Sequence, residues 1–167
     1  MILVINVNEH ELHGEEFVRP VTDLLDNFKV VHYKEMNNKD LEKSDKIIIC
    51  GTALKDNEYF ENLDKFSWIK SYKKPVLGIC AGMQIIGLIF GGKLEKNKEI
   101  GITEVNGKLK INKVYGLHNF SVSAPEGFEV LLKSDKCIQA FKKENLVGHL
   151  FHPEVMNKEL IINFSNN

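Results

Sequence analysis

Cys80 lies in Gly78-Ile79-Cys80-Ala81-Gly82-Met83-Gln84-Ile85-Ile86-Gly87, with a glycine two positions away on each side. An apolar run ends at this cysteine and a second begins at once, so a buried strand passes straight into a helix. That is the G-x-nucleophile-x-G pattern of a nucleophile elbow, a strained turn whose neighbours must be small. A helix N-terminus favours thiolate over thiol through its dipole and its free backbone N–H groups, and the thiolate is the form that attacks. The same residues also read as a core cysteine that ends a strand, because free cysteines are mostly buried.

A thiolate needs a proton partner, and Phe151-His152-Pro153-Glu154 offers one. On extended backbone, residues two apart point to the same side, so His152 and Glu154 can lie together, with Pro153 stiffening the link. Glu154 then orients the imidazole and leaves its other nitrogen to Cys80, the logic of a nucleophile–base–acid triad. In isolation this segment reads equally as a surface turn. The third element is Cys50-Gly51-Thr52-Ala53, directly after the apolar Ile47-Ile48-Ile49. Glycine at the carboxyl end of a parallel strand lets a backbone N–H approach a ligand. Paired with the N–H of Ala81, it makes an oxyanion hole; the plainer alternative is a strand-end turn. His10, His13, His32 and His149 have no motif around them and read as surface or packing residues, with no metal expected. Cys50 and Cys137 read as core, and Lys108-Leu109-Lys110 and Lys142-Lys143 as solvated faces.

The elements that must position these residues follow from patterning. Ile2 to Val7, Ile47 to Cys50 and Pro75 to Cys80 are apolar without alternation, which suits strands buried on both faces of a parallel sheet. Phe28 to Tyr33 reads as a fourth strand. Helical stripes lie between them, over Glu15–Asn27 with Pro20 as a late start or kink. Another spans Tyr59–Tyr72, where Phe60, Leu63, Phe66 and Ile69 recur every third residue. Glu35 to Lys39 and Lys96-Asn97-Lys98 read as loops. The second half predicts strands within Gly107–Val122, Phe128–Leu132 and Leu146–Phe151, a hairpin turn at Asn106-Gly107, and a last helix over Asn157–Phe164. The fold class is α/β: a central, mostly parallel sheet flanked by helices, with an added antiparallel segment.

Composition narrows the class further. At 167 residues the chain has the length of one domain, expected over 1–167. With 22 Lys+Arg against 23 Asp+Glu, the net charge of −1 gives no electrostatic case for nucleic acid or an anionic membrane. No apolar run reaches the roughly 18 residues needed to span a bilayer. The N-terminus lacks a basic n-region, so a cytoplasmic location is expected. Three cysteines without a CxxC argue against a disulfide framework or a structural zinc site.

Together, the motifs around Cys80 and His152 resemble the class I (triad) glutamine amidotransferases, over essentially the whole chain. The resemblance implies a flavodoxin-like architecture in which Cys80 attacks the side-chain amide of L-glutamine, His152 is general acid/base and Glu154 orients it. It implies oxyanion donors at Gly51, Thr52 and Ala81, and substrate contacts from Gln84, His118, Asn119 and Phe120. Within the family, Met83-Gln84, Leu117 to Val122 and Pro125 to Leu131 look most like the amidotransferase component of GMP synthetase. That likeness implies an ammonia-accepting synthetase on a separate chain, with ATP and Mg on that partner and no cofactor in this one. Two segments depart from the pattern. His118-Asn119-Phe120 lacks the acid of a His-x-Asp, and Gly51-Thr52-Ala53 replaces a Gly-Gly-Pro. A γ-glutamyl hydrolase-like enzyme and a catalytically silent regulatory protein of the same fold are the alternatives.

Overall fold

The computed structural model describes residues 1–167. In chain order it contains β1 (Ile2–Asn6), α1 (Glu11–Phe17), α2 (Arg19–Thr22), β2 (Phe28–His32), α3 (Asn38–Lys43) and β3 (Lys46–Ile49). A 3-10 segment (Glu58–Lys70), β4 (Val76–Ile79) and α4 (Ala81–Ile89) follow. The second half holds β5 (Leu94–Glu104), β6 (Asn106–Gly107), β7 (Lys113–Val122), β8 (Glu129–Lys133), β9 (Ile138–Lys143), β10 (Leu146–His149) and α5 (Glu159–Asn166).

The eight-stranded sheet runs β2-β1-β3-β4-β10-β9-β8-β6, and β5 pairs with β7 in a separate two-stranded ribbon. Pairings from β2 through β10 are parallel, and those from β10 through β6 are antiparallel. The central strands carry uninterrupted apolar runs, Ile2–Ile5, Ile47–Ile49 and Val76–Ile79, because helices cover both faces. Leu3, Ile5, Ile47 and Ile49 pack with Phe66 and Ile69 of the 3-10 segment and with Met83 and Ile86 of α4. Val4, Ile48, Leu77 and Ile79 pack on the opposite face with Val18, Val21 and Ile161. Alternate positions along each strand therefore feed two cores, as a pleated strand requires. No helix is long and apolar enough to cross a membrane.

Several elements differ from the sequence expectation for physical reasons. The helix expected over Glu15–Asn27 is two short ones, α1 beginning at Glu11, with the break at Val18 and Pro20 in the first turn of α2. That is where proline's missing N–H costs nothing. Over Tyr59–Tyr72 the apolar spacing of three matches the three residues per turn of the 3-10 geometry, with a kink at Asn62. Asn37 is not loop but the N-cap of α3, in a capping box with Asp40. Lys96-Asn97-Lys98 is an irregularity inside β5, where the register against β7 shifts between Lys96 and Glu99. Asn106-Gly107 is no hairpin turn: it pairs with β8, and a Cβ on Gly107 would run into the Leu131 carbonyl. Strand β9 escaped notice because only Ile138, Ala140 and Phe141 of its six residues are apolar. The terminal helix begins two residues later than expected, at Glu159.

The sheet meets α4 at unusually short range. A Cβ on Gly78 would stand 2.5 Å from the Gly82 carbonyl carbon, and one on Gly82 would collide with the Ile49 carbonyl of β3. Helix propensity alone makes Gly82→Ala stabilising by about 1 kcal/mol. The collision with backbone costs about 1–3 kcal/mol or more, so the net change should be destabilising, by up to about 2 kcal/mol or more. A lower urea midpoint at unchanged m-value is the expected result; a raised midpoint contradicts this packing.

Candidate active site

Strands β3, β4 and β10 are adjacent and parallel, so their carboxyl ends emerge on one edge of the sheet. Gly51 follows β3, Cys80 follows β4, and the segment carrying His152 and Glu154 follows β10. Ligand sites of open α/β sheets form at this edge, and here topology alone gathers residues 101 positions apart from Gly51 to His152, counted as 152 minus 51.

Cys80 has φ 49° and ψ −100°, a backbone state that costs a non-glycine residue about 1–3 kcal/mol. Its N–H donates to the His149 carbonyl at 2.7 Å, tying the turn to β10, and its carbonyl accepts from Gln84 N–H at 3.0 Å as α4 begins. The side chain is 4% exposed, with the S–H facing the Leu117 carbonyl at 3.6 Å. The His152 N–H donates to the Tyr115 carbonyl at 2.9 Å, and Nδ1 meets Glu154 Oε1 at 2.7 Å. That leaves Nε2, which has no hydrogen-bond partner of good geometry. Burial by itself disfavours the imidazolium. The negative charge of the neighbouring Cys80 sulfur, together with the Glu154 carboxylate, outweighs burial and holds the His152 pKa well above its usual 6.5.

Gly51 fits between these groups because it has no side chain: a Cβ would lie 2.6 Å from His152 Cε1 and 3.3 Å from Cys80 Cβ. The N–H groups of Gly51, Thr52 and Ala81 donate to no backbone acceptor. For Ala81 this follows from its place at the start of α4, where N–H groups lack intrahelical partners. Thr52 is buried and adopts no positive φ, so the loop forms without the freedom of a second glycine.

The cleft at Cys80 is lined by Thr52, Ala53, Leu54, Gln84, Asn119 and Phe120, among others, and encloses about 20 Å³. That is room for about one water molecule. Gln84 lines it with both amide ends engaged: Oε1 accepts from Tyr59 O–H at 2.5 Å, and Nε2 donates to the Phe120 carbonyl at 2.7 Å. Tyr59 was not legible as a site residue, since its sequence setting is only an apolar stripe. His118, Asn119 and Phe120 lie in strand β7. Asn119 Nδ2 donates to the Leu54 carbonyl at 3.3 Å, joining β7 to the Gly51 loop. His118 has both ring nitrogens engaged elsewhere, Nδ1 at the Asn97 carbonyl (2.9 Å) and Nε2 at Glu99 Oε2 (3.1 Å). The residue nevertheless lines the cleft beside Leu117 and Asn119.

The chain thus contains a second Cys–His–Glu grouping, Glu99, His118 and Cys137. The two differ in chemistry. Cys137 is not at a helix start; burial, then the Glu99 carboxylate, pushes its thiol up to about 12, which starves it of thiolate near neutral pH. Only Cys80 stands at the N-terminus of α4.

The family described as glutamine amidotransferase class-I matches residues 16–164. A glutamine-hydrolyzing GMP synthase subunit from Methanosphaera stadtmanae is 42% identical over 98 residues, 50% of this chain and 53% of that protein. Its counterpart from Saccharolobus solfataricus is 32% identical over 137 residues, covering 72% of this chain and 73% of that one. The first match thus spans only about half the length of its relative. A Thermoplasma acidophilum crystal structure, provisionally assigned as a GMP synthase subunit, superposes with TM-score 0.81 at 24% identity, over 98% of this chain and 92% of that one. A glutamine amidotransferase from Thermotoga maritima superposes with TM-score 0.71 at 18% identity, over 99% and 89% of the two chains. At those identities the two structures speak for the α/β fold alone, whereas the family match and the sequence relatives speak for descent: this chain belongs to the class-I glutamine amidotransferases.

Proposed function

We propose that this chain is a glutaminase whose Cys80, His152 and Glu154 release ammonia from L-glutamine for a separate GMP synthetase chain. The observation that carries the reading is the meeting, at one sheet edge, of a strained cysteine, a carboxylate-held imidazole and backbone N–H groups without backbone acceptors. Names of the relatives favour the GMP synthetase partner over other ammonia acceptors. ATP and Mg belong to the partner's chemistry in this reading.

The reaction follows from the geometry. Cys80 thiolate attacks the side-chain carbonyl carbon of glutamine, forming a C–S bond and moving the carbonyl electron pair onto oxygen. The N–H groups of Ala81 and of the Gly51-Thr52 turn stabilise that oxyanion. His152 gives its Nε2 proton to the amide nitrogen, the C–N bond breaks, and ammonia leaves. The now neutral imidazole takes a proton from water, which attacks the γ-glutamyl thioester and releases glutamate and the thiolate. Glu154 keeps Nδ1–H pointed at itself throughout, so only Nε2 exchanges protons.

Cys80→Ala should lower partner-stimulated ammonia release at least about a thousandfold, the scale of losing a covalent nucleophile, while leaving the far-UV CD spectrum intact. Gly51→Ala, which drives a Cβ into the His152 ring, should cost at least about a hundredfold in kcat, the scale of one lost oxyanion donor. Near-native turnover in Cys80→Ala overturns the assignment. A further test is electrostatic. Because the Cys80 charge raises the His152 pKa, Cys80→Ser should titrate this imidazole at lower pH than wild type, by NMR of the ring protons. The raised value means the pair's stabilisation is complete below the unfolded histidine pKa of about 6.5 and is lost as pH rises through the folded one. An unchanged titration in Cys80→Ser contradicts the pairing.

A further inference from the structure

The Glu99–His118–Cys137 grouping is left unused by glutamine hydrolysis, and its hydrogen bonds do not close. His118 Nδ1 lies 2.9 Å from the Asn97 carbonyl, which can only accept, so Nδ1 carries a hydrogen. The other nitrogen lies 3.1 Å from Glu99 Oε2, itself an acceptor. That buried contact closes only on a positive centre, either a second proton on the ring or a cation held between the two atoms. Cys137 Sγ lies 3.3 Å from the same Oε2, and Gln139 Nε2 also converges on it. Gln139 is fully buried and its Oε1 has no partner.

We infer that Glu99, His118 and Cys137 form a binding site for a zinc-class divalent cation, with the fourth position where the Gln139 amide now lies. In a tetrahedral site with metal–sulfur near 2.3 Å and metal–nitrogen or –oxygen near 2.0–2.2 Å, ligand atoms stand about 3.2–3.7 Å apart. The observed 3.1 Å and 3.3 Å separations are close to that spacing. One thiolate, one imidazole and one carboxylate is a donor set that zinc accepts. The Nδ1–H donated to a backbone carbonyl is the outer contact that fixes the tautomer of a metal-bound histidine.

The site would staple together parts of the chain that are otherwise weakly joined. Glu99 and His118 are cross-strand partners in the β5–β7 ribbon, whereas Cys137 immediately precedes β9 of the main sheet. Strand β7 also presents the Leu117 carbonyl to Cys80 and the Phe120 carbonyl to Gln84. A cation here holds one wall of the cleft from behind and takes no part in the chemistry.

The test uses the full chain stripped with a chelator, then titrated with Co²⁺ and challenged with Zn²⁺. One Co²⁺ per chain should bind with a near-ultraviolet sulfur-to-metal band that Zn²⁺ abolishes. The band should persist in Cys80→Ser and vanish in Cys137→Ser. Should Cys137→Ser fail to fold by CD, wild type suffices: Zn²⁺ should slow alkylation of Cys137, located by peptide mass mapping, at least tenfold. Absence of the band, its loss in Cys80→Ser with retention in Cys137→Ser, or alkylation of Cys137 unaffected by Zn²⁺ each overturns the site; the grouping then closes with a proton on His118.

Discussion

The backbone of Cys80 is held at a positive φ that no side-chain-bearing residue adopts willingly. What holds it there is contact on every side. Gly78 and Gly82 let α4 press against β4 and β3 with no Cβ between them. The Cys80 N–H is taken by His149 and its carbonyl by Gln84. Relaxing the turn would separate α4 from the sheet and uncover Met83, Ile85 and Ile86, all fully buried. Burial of those side chains, at about 1.5–3 kcal/mol each, outweighs a strain of about 1–3 kcal/mol. The sulfur is thereby fixed at the helix start, and the turn's tie to His149 fixes the strand end from which the chain reaches His152.

Parallel pairing supplies the rest. Since β3, β4 and β10 run the same way side by side, the three segments that follow them leave the sheet on one edge. The β5–β7 ribbon closes the cleft from the other side through Leu117, Asn119 and Phe120. The same ribbon carries the buried contact between Glu99 and His118, cross-strand partners on β5 and β7.

How much of this the sequence could convey depended on whether the signal was local. The elbow was legible because strain, glycines and nucleophile sit within five residues, and His152–Glu154 because an extended i, i+2 pair needs no tertiary information. The buried strands were legible from uninterrupted apolar runs. The β9 strand was not, because half of its residues are polar, nor was the Lys96–Lys98 irregularity, because its register is set by β7 across the ribbon. Tyr59 and the Glu99–His118–Cys137 grouping were hidden because their partners are distant in the chain: the latter joins residues 19 and 38 positions apart. The contact between His118 and Glu99 was not legible because it joins two strands of the β5–β7 ribbon.

Two Cys–His–Glu groupings in one chain make the identity of the nucleophile the central claim. The most direct measurement is covalent: a diazo-ketone analogue of glutamine, incubated with the chain in the presence of its synthetase, followed by peptide mass mapping. The account predicts one adduct, on Cys80, suppressed by excess L-glutamine. An adduct on Cys137 or Cys50, or labelling of Cys80 that glutamine does not suppress, would contradict it.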